Sequence, residues 1–162
     1  KIRLRETESD ERFPDLSFIV FSRATINDYH MNIASVVKNN ALIHEVTVVT
    51  EGNAKIISIP GKPMGGSAVN GGELLFLSLA TCFCNDLYRE AARRNMKLDE
   101  VEVAVSGEFG KEGEPGFNIQ YEAKVTSSGS TDREISDLIR DVDRVAEIHN
   151  TLRKGVAVTL RQ

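Results

Sequence analysis

The chain has 162 residues, 20 Lys and Arg against 24 Asp and Glu, a net charge of −4, and 41% hydrophobic residues. Those proportions exclude a disordered chain and a fibrous repeat, and the length suits one domain of roughly 100–200 residues with one sizeable core. The mild acidity argues against a nucleic-acid binder, and with 6% aromatics and no Trp the core is expected to be aliphatic.

Residues 1–12 are charged and open on a basic stretch, Lys1 to Arg5, that no signal-like apolar region follows. No apolar run is long enough to cross a membrane. The two cysteines, Cys82 and Cys84, are too few and too close for a secreted disulfide scaffold. The expected setting is the reducing cytoplasm. Leu16 to Phe21, after Pro14, reads as a strand, and Met31 opens the more regular part of the chain. Residues 1–30 are expected to be an extension, and 31–162 the domain proper.

Residues 42–49 read as a strand, Glu51-Gly52-Asn53 as a turn, and Lys55 to Ile59 as the returning strand, stopped by Pro60-Gly61. The glycine-rich stretch 61–72 lacks the Gly-Lys-Ser/Thr of a phosphate loop, and reads as a connection with special backbone angles. Residues 73–95 form the longest expected helix, with Glu73 in its first turn and Arg93-Arg94 in its last. Its first half is apolar nearly all round, which predicts burial on most sides.

Val101, Val103 and Val105 alternate with polar residues, as do Phe117, Ile119, Tyr121, Ala123 and Val125 after a turn at 110–116. This period of two predicts an antiparallel pair with one wet face. Thr131-Asp132-Arg133-Glu134 is a capping box, and Ile135, Leu138, Ile139, Val142, Val145 and Ala146 give the apolar stripe of a second helix ending at Gly155. Val156 to Leu160 reads as a closing strand. The order predicts an α+β fold, an antiparallel sheet packed on two helices.

On a helix Cys82 and Cys84 point about 200° apart, so they share neither a bond nor a metal. The Cys84 side carries Leu77, Ala80, Tyr88 and Ala91 and reads as packing, with Cys84 a small buried hydrophobe. The Cys82 side mixes Leu75, Ser78 and Leu79 with Asn85, Asp86 and Arg89, which marks a pocket or a subunit contact. Cys82 lies too deep in its helix for the helix's own dipole to activate it, and Asp86 would raise its pKa if it faced the sulfur.

Gly65 to Leu75, followed by Leu79-Ala80-Thr81-Cys82-Phe83, resembles the OsmC/Ohr family of osmotically inducible and organic hydroperoxide resistance proteins. Asn150-Thr151-Leu152-Arg153-Lys154-Gly155-Val156 resembles that family's C-terminal signature. The resemblance implies an intertwined homodimer, a long buried central helix, and a redox site of oxidative-stress defence at the subunit interface. It implies a peroxidatic cysteine at Cys82. It also exposes departures from the peroxidase pattern. Ala146-Glu147 stands where a resolving Cys-Pro step belongs, and Gly71-Gly72 where Pro-Glu belongs, with Glu73 one residue later. No Arg lies between Arg23 and Arg89, leaving Lys38, Lys55 and Lys62, which lack the bidentate fork.

An active chain would therefore be a one-cysteine reductase (a peroxidase, hence an oxidoreductase) that takes organic hydroperoxides and an external thiol. Neither cofactor nor metal is expected. His149 shares a helical face with Ala146, and if Ala146 faces Cys82, His149 is expected near the thiol, favouring its thiolate. The rival reading is a non-catalytic dimeric binding protein with an apolar interface pocket. A hotdog-type thioesterase is a third, with no catalytic Asp or Glu signature behind it.

Overall fold

The computed structural model describes residues 31–40 and 43–160, so the expected strand at 16–21 lies outside the described residues. Two compact units divide the chain, Lys1–Val69 and Asn70–Gln162. Among the described residues no helix is long and apolar enough to cross a membrane.

The first unit holds a three-stranded antiparallel sheet in the order β1-β2-β3, with β1 Ile33–Asn39, β2 His44–Thr50 and β3 Asn53–Ile57. The β2–β3 hairpin matches the sequence reading. Its turn is shorter than expected, because Asn53 already pairs with Thr50. Glu51 and Gly52, at φ 48° and 78°, make the two-residue loop. Positive φ at both positions matches the right-handed twist of the flanking strands, which is why Gly is suited to one of them. Strand β1 was not read from the sequence. The loop after β3 is pinned by hydrogen bonds: Gly66 N–H donates to Asn39 Oδ1 at 2.9 Å, and Lys62 N–H to the Gly66 carbonyl at 2.9 Å.

The second unit opens with α1, Gly71–Arg93. Asn70 caps it. Glu73 N–H donates to Asn70 Oδ1 at 2.9 Å, and Asn70 N–H donates to Glu73 Oε2 at 2.7 Å. Two of the four orphan donors of a helix start are thereby satisfied reciprocally. At the other end Asn95 takes φ 55°, with Asn95 N–H bonded to the Ala92 carbonyl and Met96 N–H to that of Ala91. That is a Schellman close, with Met96 packed on the core.

Strands β4, Glu100–Phe109, and β5, Gly116–Thr126, pair antiparallel as expected and form a sheet of their own. Their inward residues Val101, Val103, Tyr121, Ala123 and Val125 pack against a buried cluster of Phe83, Leu87 and Ala91 with Leu138, Val142 and Ala146. Phe117 and Ile119, expected on the same dry face, are 46% and 37% exposed.

Three expectations are corrected. The second helix is two: α2, Asp132–Val145, and α3, Glu147–Lys154, separated by Ala146 at φ −61°, ψ 106°. That extended residue stops the ladder. Two carbonyls it frees are taken by side chains of the C-terminal signature: Asn150 Nδ2 donates to Arg144 O and Arg153 Nη1 to Asp143 O, each at 3.0 Å. Periodicity is blind to such a joint because the apolar stripe runs on past it. Residues 156–160 form no strand; Val158 is 98% exposed, and among the described residues no sheet edge pairs with them. Finally, α1 is not buried on most sides. Leu79, Phe83, Leu87 and Ala91 face the core, while Leu74, Leu77 and Tyr88 form an exposed stripe along the helix.

Candidate active site

Cys82 lies in the middle of α1, half-buried. Its thiol donates to Asp86 Oδ2 at 3.6 Å, one turn along the same helix. The backbone N–H of Ile148 acts on the same sulfur as a donor that favours its thiolate. That amide belongs to the first turn of α3, where N–H groups have no intrahelical acceptor. The break at Ala146 therefore aims a free donor at the thiol. Sequence reasoning looked for activation in the dipole of α1, which does not reach Cys82; the effective helix start is that of α3. The signal was present in the resemblance, which set Ala146 opposite Cys82.

Asp86 is only 2% exposed. Its Oδ1 is clamped by Arg89 Nη1 at 2.9 Å, and Arg89 Nη2 reaches Glu147 Oε1 at 3.6 Å. The ligand-type atoms of Cys82, Asp86 and Glu147 all lie within 4.8 Å of one another, a set able to hold a cation. Arg89 already bridges the two carboxylates, so the guanidinium provides positive charge there.

Burial pushes the Cys82 thiol above its ordinary range; the Ile148 N–H opposes that, and the charges of Asp86 and Glu147 add to it. Burial likewise raises the Asp86 carboxyl, with Glu147 adding to the rise and Arg89 opposing it. Glu147 was not picked out from the sequence as part of the site. Asp86 was, as the group that would hold the thiol protonated.

Glu73 stands nine residues before Cys82, about 13 Å along the axis at 1.5 Å per residue. Its carboxylate is engaged in the cap of α1. Lys38, Lys55 and Lys62 belong to the first unit, and Arg23 lies outside the described residues. Cys84 is half-buried and lines an open groove with Ala80, Thr81, Asn85 and Val103. It is not the sealed core thiol the sequence predicts.

His149 is 4% exposed, and its ring packs against those of Phe83 and Tyr121, with centroids 5.4 and 4.5 Å away. Neither ring nitrogen has a hydrogen-bond partner. Burial lowers its pKa and Arg153 adds to the fall, while Asp143 opposes it. The ring is thus a neutral packing element. The groups that act on the thiol are instead Asp86, Glu147 and the Ile148 amide. An imidazole that stays neutral when folded binds a proton more readily once unfolded, so its contribution to stability is complete above about pH 6.5 and is lost as pH falls below it. The urea midpoint is expected to drop between about pH 7.5 and 5.5, and His149→Phe to flatten that drop. An equal slope in both proteins would show that the ring is not the group responsible.

The family model for OsmC-like proteins matches residues 64–161. The chain belongs to that family, as a divergent member. Among solved structures it is similar to an OsmC-like protein from Mycoplasma pneumoniae, at a TM-score of 0.56 and 19% identity, over 80% of this chain and 91% of that one. It is also similar to an OsmC-like protein of unknown function from Vibrio cholerae O1 biovar eltor, at 0.51 and 14%, over 76% and 94%. The organic hydroperoxide resistance protein OhrB of Bacillus subtilis aligns at 0.46 and 18% identity, over 82% and 96%. No curated protein matches the chain. The first two likenesses, at these identities, show the fold alone: a mixed α/β fold with antiparallel sheets and helices.

Proposed function

We propose that the protein is a thiol-dependent, one-cysteine reductase of organic hydroperoxides, with Cys82 as nucleophile. The observation behind this reading is the setting of one sulfur: a buried carboxylate 3.6 Å away, and a backbone donor from the start of α3 that favours the thiolate. The amide can hold negative charge on sulfur without a cationic side chain. The sulfur attacks the peroxide's distal oxygen, giving a sulfenic acid and an alcohol. Two equivalents of an external thiol then return the sulfenic acid to the thiol through a mixed disulfide, releasing water. Such a reductant suits a reducing cytoplasm. No cofactor takes part.

The working unit in this reading is a homodimer. Two features support it: the exposed apolar stripe Leu74, Leu77 and Tyr88 on α1, and the alternating apolar tail 156–160, which has no strand partner among the described residues. The OsmC-like domain is taken as residues 31–162, since the likenesses to solved structures cover 76–80% of the chain, more than the stretch 64–161.

One observation favours the rival, a dimeric protein that binds apolar molecules without chemistry: burial and two carboxylates hold the thiol protonated. The two readings part on a direct measurement. Treating the protein with cumene hydroperoxide in the presence of dimedone is expected to label Cys82 as a sulfenic acid, faster as pH rises and the thiolate forms. Folded protein that stays unlabelled at Cys82 would leave the binding reading.

A further inference from the structure

We infer that Asp86 is the proton carrier of this site, taking the proton from the Cys82 thiol and handing it to the departing alkoxide. The inference rests on the reductase reading and adds to it a catalytic group that the peroxidase pattern does not contain. Reduction of a hydroperoxide has two proton problems. A thiol must lose its proton to attack, and an alkoxide is a poor leaving group unless it gains one. A peroxidase with an arginine beside its sulfur solves the first by stabilising the thiolate. Here the cation nearest the cluster, Arg89, is bound to carboxylates.

The geometry supplies both halves of the transfer. The Cys82 sulfur already stands as a donor 3.6 Å from Asp86 Oδ2. Arg89 fixes Oδ1 at 2.9 Å and so fixes where Oδ2 points. The carboxyl is 2% exposed, which excludes water as the competing acceptor and keeps a transferred proton in place. Burial, and then the charge of Glu147 within 4.8 Å, make Asp86 a better proton acceptor than a solvated aspartate. The Ile148 amide holds the sulfur's charge during the interval.

The steps balance. The thiol proton passes to Oδ2, and sulfur bonds to the distal peroxide oxygen as the O–O bond breaks. The alkoxide leaves with the electron pair of that bond and takes the proton from Oδ2. Cys82 becomes a sulfenic acid, oxidised by two electrons; the peroxide becomes an alcohol; and Asp86 is again a carboxylate.

The test uses Asp86→Asn, which keeps the shape and loses the proton. Two rates are expected to move in opposite directions. Alkylation of Cys82 by iodoacetamide at neutral pH quickens, because a negative neighbour is gone. Reduction of tert-butyl hydroperoxide slows, on the order of a hundredfold as for loss of a general acid. The ratio of peracetic acid to tert-butyl hydroperoxide turnover rises, since acetate leaves without needing a proton. Asp86→Glu recovers part of the alkyl hydroperoxide rate. Both rates rising together would reduce Asp86 to an electrostatic neighbour and overturn the inference, as would an unchanged ratio. A wild-type protein that reduces neither peroxide would overturn the reductase reading itself. Should the variant not fold, the wild type still decides: turnover nearly independent of alcohol acidity across a series of alkyl hydroperoxides supports a built-in proton donor, and a steep dependence overturns it.

Discussion

Cys82→Ser is expected to lose all thiol-dependent consumption of lipophilic hydroperoxide, while Cys84→Ser keeps it. The two positions differ by two residues and by about 200° around the helix. Only Cys82 faces the Asp86 carboxylate and the Ile148 amide. Cys84 looks onto a groove with Ala80, Thr81, Asn85 and Val103, where no ionisable group lies among the lining residues. Serine keeps the size of the side chain, so the fold survives the change. A hydroxyl is far weaker as a nucleophile than a thiolate, and it has no sulfenic state through which a reductant could cycle it. A Cys82→Ser protein with full activity would take Cys82 out of the chemistry.

Phe83→Ala is expected to lower stability by about 3–5 kcal/mol, read as a fall in the urea midpoint. Phe83 is fully buried in one cluster with Leu87, Leu138, Val142 and Ala146. Its ring meets Tyr121 edge-on at 4.9 Å and His149 at 5.4 Å. Truncation opens a cavity where α1, β5 and α3 converge, and the regular ladders around it limit how far they can collapse. Phe83→Leu refills most of that volume and should cost much less. The loss should also reach the site, because α3 carries the Ile148 amide. A drop of under about 1 kcal/mol in Phe83→Ala would mean that this cluster is not the core of its unit.

What the sequence disclosed, and what it hid, follows from the range of each interaction. The alternation at 101–105 and 121–125, the capping box at Thr131 and the stop at Gly155 are local, and each forms as read. Gly155 takes φ 62° at the end of α3, a left-handed angle that a residue without Cβ adopts freely. Strand β1 was hidden because Ile33 to Asn39 mixes small and polar residues, with no turn signal before it; its seven register pairs with β2 are a tertiary fact. The joint at Ala146 was hidden because the carbonyls it frees are satisfied by side chains up to ten residues on.

Half of the site was legible on the same grounds. The spacing of Cys82, Asp86 and Arg89 on one helix is local, and it does bring thiol, carboxylate and guanidinium together. Glu147 and the Ile148 amide arrive from another helix, and nothing in residues 73–95 announces them. His149 shows the limit of reasoning by shared faces. Its ring turns inward against Phe83 and Tyr121 and stays uncharged.

The tail past Gly155 has a consequence for handling the protein. Val156, Val158 and Leu160 stand bare, and their main-chain donors and acceptors pair with no strand among the described residues. A margin of that kind adheres to any other margin that offers a matching ladder. If the proposed homodimer conceals this rim, dilution is the hazard, because separated copies then display it. Preparations kept concentrated should stay clear where thin ones turn cloudy.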